Sequence, residues 1–134
     1  MILFKKIYNI KNDHRLIKMV QEASLDKKSY AGYKIENGLL FGTTEWFDAI
    51  DNGIILKYLI SGSISNIYLS GQNDYTEFEI TSDEDKTTWP IKGDNAIYKI
   101  GKNITLTYIE QKFKRPSDIT GLISKCIISI EIEA

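Results

Sequence analysis

At 134 residues, with 17 Lys and Arg against 18 Asp and Glu and a formal charge of −1, the chain has the length of one domain and no global field to gather nucleic acid or anionic membrane. Its single cysteine, Cys126, and single histidine, His14, exclude an internal disulfide and a His/Cys metal cluster and point to a reducing compartment. The longest apolar runs, such as Ile54-Ile55-Leu56, fall far short of the roughly 20 residues of a membrane helix, and Lys5-Lys6 cuts the apolar start before a signal-peptide core forms, so the expected location is cytoplasmic.

Residues 3–10 are apolar enough for a strand and end at Lys11-Asn12-Asp13. Asn12 or Asp13 is placed to cap a helix over 13–23, in which Leu16, Ile17, Val20 and Ala23 recur at helical spacing while Arg15, Lys18 and Glu22 fall opposite. Residues 30–35 and 39–41, separated by Asn37-Gly38, read as a hairpin around a tight turn. Residues 44–50 carry the signals of a short helix: a Thr cap, Glu45 and Asp48 near its positive end, and Asn52-Gly53 past its close.

From Ile54 onward, short β-branched runs separated by Gly, Asn and Asp predict five main strands, over 55–69, 76–81, 87–91, 104–112 and 124–133, with a small addition at 96–100. In the last, Ile128, Ile130 and Ile132 alternate with Ser129, Glu131 and Glu133, which puts isoleucine inward. In the first, Ile60 and Ile64 share one parity while Ile67 and Leu69 take the other, so the strand must bend or bulge between them, and Gly62 lies in the same stretch.

Two segments, Gly62-Ser63-Ile64-Ser65-Asn66-Ile67 in the long bent strand and Tyr98-Lys99-Ile100-Gly101-Lys102-Asn103-Ile104-Thr105-Leu106 entering the fourth, resemble a small barrel of the oligonucleotide/oligosaccharide-binding (OB) type. SH3-like barrels share the pattern. The resemblance implies a mainly β fold, α+β overall, with a five-stranded OB-like or SH3-like barrel over residues 54–134. Residues 1–53 then form a strand-helix-hairpin extension packed on it, within one domain spanning 1–134.

No constellation makes an active site, and the expectation is a protein that is not an enzyme, with no metal and no cofactor. His14 falls in the first turn of a helix and Cys126 has the parity of inward isoleucines, so neither has a catalytic partner set by motif. Asp83-Glu84-Asp85 lacks the spacing of a calcium loop and reads as a solvated turn, and Gly101-Lys102 lacks a phosphate-loop context. The aromatic residues, among them Tyr33, Trp46, Tyr58, Tyr75, Trp89 and Tyr108, are mostly core.

Two binding surfaces compete. If Phe78 and Ile80 point inward, Glu77 and Glu79 point out on the second barrel strand, with Asp83, Glu84 and Asp85 in the turn beyond it. Against these stands the run Lys112-Phe113-Lys114-Arg115-Pro116, expected in the loop between the last two strands. A single-stranded nucleic acid would use Lys112, Lys114 and Arg115 for phosphates and Trp89 or Phe113 for stacking, but on the barrel's usual ligand face those phosphates would meet carboxylates. The preferred reading is a protein-binding module. Small lysine- and isoleucine-rich chains without motif or export signal resemble bacterial immunity proteins, which implies a toxin as partner, a basic domain of which Glu77, Glu79, Asp83, Glu84 and Asp85 would meet. Nucleic acid is the runner-up partner.

Overall fold

The computed structural model describes residues 2–69, 76–118 and 121–134, and Tyr75 lies outside them. Within the described residues the fold is mainly β. Strands β1 (Phe4–Asn9), β2 (Tyr58–Leu69), β3 (Thr76–Ser82), β4 (Asp85–Pro90), β5 (Asn103–Ser117) and β6 (Gly121–Glu133) accompany helices α1 (His14–Leu25) and α2 (Thr44–Asp51). No helix among these residues is long and apolar enough to cross a membrane.

The strands form one six-stranded sheet in the order β1-β6-β5-β2-β3-β4. The pairs β1–β6, β2–β3 and β3–β4 are antiparallel. All five strands expected after residue 54 are therefore present. Barrel closure is not among the described pairings, because β1 lies beside β6 and the order ends at β1 and β4. Residues 4–9 form β1, a strand of the sheet beside β6.

The chain gathers into two compact units, one of Met1–Asn9, Leu59–Thr107 and Ile128–Ala134, the other of Ile10–Tyr58 and Tyr108–Ile127. In the first, Ile64, Phe78, Ile80, Ile104, Leu106, Ile130 and Ile132 form the buried core, and the Phe78 and Tyr98 rings lie 4.9 Å apart. The parity switch in β2 is a register shift between Ile64 and Asn66, the bulge that the sequence requires. Gly62 has no room for a side chain, since a Cβ there would overlap the Thr81 carbonyl oxygen.

In the second unit, Asp13 caps α1 by accepting the Leu16 amide at 3.2 Å, and Thr43 caps α2 by accepting the Trp46 amide at 3.3 Å. Helix α2 buries Trp46, Ala49 and Ile50, and the Trp46 and Phe41 rings pack at a tilt of 45° with centroids 4.5 Å apart. The Asn37-Gly38 turn forms, with φ of 55° and 72° and a Leu39 amide to Glu36 carbonyl bond of 2.9 Å. The predicted hairpin arms do not follow from it. Their pairing stops at a Glu36–Leu39 bridge, while Tyr33 bridges to Phe113. The Lys34 amide donates to the Lys112 carbonyl at 2.9 Å and the Lys114 amide to the Gly32 carbonyl at 3.1 Å, so the backbone there is satisfied by β5 instead.

Candidate functional site

Strand β3 sorts its residues by parity. Phe78 and Ile80 are 0% exposed, whereas Glu77, Glu79 and Thr81 are half-buried on the other face. Register places Glu77 between Tyr68 and Pro90, and Glu79 between Asn66 and Thr88. The Glu79 carboxylate accepts the Ser65 hydroxyl at 2.7 Å, and the Ser65 oxygen accepts the Thr81 hydroxyl at 2.7 Å. Tyr68 donates its hydroxyl to Thr88 at 3.1 Å. The outer face of β3 is thus hydroxyl-rich, with the Glu79 carboxylate held by Ser65.

Asp83 and Glu84 make the two-residue link from β3 to β4, with Asp83 at φ 55° and Asp85 paired to Ser82. Asp83, Glu84 and Asp85 are all exposed. At about 3.3 Å per residue, Glu79 lies roughly 13 Å and Glu77 roughly 20 Å from the turn, beyond the ~8 Å screening length of physiological salt. The five acids are therefore a line ending in a charged turn, not one tight cluster. Among the described residues, no group of three or more His, Cys, Asp and Glu could hold a metal ion.

The basic run lies inside β5, beside β6 in the sheet, and not in a loop, and residues 32–34 add hydrogen bonds to its backbone at Lys112 and Lys114. Its side chains are engaged within the same unit. Lys112 pairs with Glu36 at 3.5 Å, and Phe113 packs 5.7 Å from the Tyr33 ring. The Lys114 ammonium donates to the carbonyls of Ala23 and Asp26 at the end of α1. Arg115 donates to the Lys27 carbonyl at 3.0 Å and covers the Tyr30 ring at 4.5 Å. Trp89 is 4% exposed and its indole donates to Thr87 at 2.8 Å, so it offers no open stacking face.

His14 is exposed at the first position of α1. Cys126 is buried, its thiol donating to the Tyr33 hydroxyl at 3.1 Å, which in turn donates to Ser124 at 3.1 Å. Burial, with Cys126 beside it, pushes the Tyr33 hydroxyl well above its ordinary pKa. This places Tyr33 as a neutral donor in a packed aromatic cluster with Phe41 and Phe113.

The second unit also carries an apolar surface that the strand pattern did not predict. Ile54, Leu56, Leu122 and Ile123 are all largely exposed. Two depressions lie there, of about 280 and 410 Å³, and Lys34, Lys112 and Ile123 border both. Part of the signal was in the chain: a run of three apolar residues, Ile54-Ile55-Leu56, cannot turn every side chain inward from an extended backbone. Leu122 and Ile123 were hidden by a predicted strand start at Ser124, where β6 begins at Gly121.

A family model described as Immunity protein RhsI2 matches residues 2–134. No curated protein matches the chain.

Proposed function

From the premise that this chain belongs to the RhsI2 immunity protein family and neutralises a toxin, we propose that it acts as a stoichiometric binder, without catalysis, whose acidic strand meets a basic domain of that toxin. The observation that carries this reading is the outer face of β3, where Glu77 and Glu79 lie opposite the Phe78 and Ile80 core on the strand that runs into the exposed Asp83, Glu84 and Asp85. A line of carboxylates about 20 Å long suits an extended basic cleft better than a single cation. Such charges act mainly by steering the encounter, and bound protein then occludes the cleft.

The test is the association rate with the cognate toxin for the triple variant Glu77→Lys, Glu84→Lys, Asp85→Lys. These positions leave the Ser65–Glu79 bond and the positive-φ residue Asp83 untouched. The rate is expected to fall about tenfold or more at low salt and to lose most of its salt dependence. An unchanged rate and slope would remove the acidic strand from the interface.

A further inference from the structure

We infer that the depression of about 410 Å³ in the second unit seats an apolar side chain of the toxin that carries a carboxylate beside it; this rests on the reading that the partner is a toxin. The floor is apolar. Leu122 is 69% and Ile123 46% exposed, and Phe113 and Pro116 complete the lining. Two adjoining aliphatic side chains left that open to water are a strong driving force for association once covered.

Charge sets the occupant. Lys34, Lys112 and Lys114 are the only charged residues among those that line the depression, and no carboxylate joins them. Lys114 already holds the α1 carbonyls and Lys112 pairs with Glu36. Lys34, exposed on the rim, is the cation best placed to meet an arriving carboxylate. A dry apolar contact beside an ammonium selects an acidic residue next to a large aliphatic or aromatic one. A second copy of this chain fits poorly, because a two-fold contact would set the three lysines against their own equivalents.

The neighbouring depression of about 280 Å³ shares Lys34, Lys112 and Ile123 and has Trp46 in its wall. The Trp46 ring is 0% exposed, so that wall is already packed.

Dissociation from purified cognate toxin separates this from the acidic-strand reading, which governs association. Leu122→Ser and Lys34→Glu should each speed dissociation about tenfold, with Lys34→Arg within about twofold of the parent. Both sites are exposed, and an unchanged melting temperature shows the fold intact. Dissociation rates within about twofold of the parent for both Leu122→Ser and Lys34→Glu, with toxin still bound, would overturn the inference and leave the family reading standing. Self-association of the parent that Leu122→Ser abolishes, with toxin binding unaffected, would assign the depression to a second copy and overturn it too. A parent that does not bind the toxin overturns both readings together.

Discussion

Gly62 and Tyr98 show how single positions set the limits of the first unit. A methyl group at residue 62 would overlap the Thr81 carbonyl, a backbone atom that cannot swing aside. Gly62→Ala is therefore expected to cost about 1–3 kcal/mol or more by overpacking, read as a lower midpoint in urea; an unchanged midpoint would mean β2 and β3 can separate freely there. Tyr98 is buried, donates its hydroxyl to the Lys92 carbonyl at 2.6 Å, and has its pKa pushed up to about 12 by burial. The folded state favours the protonated phenol, so this contribution is whole below pH 10, the unfolded value, and is lost as pH rises through 10 toward 12. Stability should fall over that window, and Tyr98→Phe should flatten the fall while lowering stability at neutral pH by about 1 kcal/mol. An identical alkaline profile in the variant would assign the fall to other groups.

At the scale of elements, the end of α1 depends on a residue far along the chain. The Lys114 ammonium reaches the Ala23 carbonyl in the last turn, where helix carbonyls lack intrahelical partners, and the Asp26 carbonyl at the C-cap, which also accepts the Ser29 amide. Lys114→Ala should destabilise the protein by about 1–2 kcal/mol and speed amide exchange in the last turn of α1, whereas exchange in β3 should not change. Equal acceleration in both would contradict a local capping role. The same residues show what was legible in the sequence. The α1 cap, the β2 bulge and the β3 alternation are local, written in spacing and parity within a few residues, and the structure has all three. The placement of residues 112–115 in a strand was missed because β5 and β6 run on to Ser117 and Gly121 through a charged, Pro-containing stretch that reads locally as a loop. Outward Glu77 and Glu79 followed from parity. The Leu122 and Ile123 surface depends on which apolar residues find no cover, which no periodicity reports.

Across the whole molecule, charge is nearly balanced at −1, so recognition rests on how charge is distributed and not on its total. The acidic line on β3 and the apolar, lysine-rimmed surface of the second unit offer different chemistry: the first is proposed to steer a basic domain, the second to hold an anchor. Membership in an immunity family makes the toxin the molecule against which both are judged. The most direct measurement titrates the purified protein into a fixed concentration of cognate toxin, well above the dissociation constant, and follows toxin activity. A binder that occludes its target predicts a linear fall that reaches background at about one equivalent. Activity that persists at several-fold excess, or that is abolished by a small fraction of an equivalent as a catalyst would do, would contradict the account.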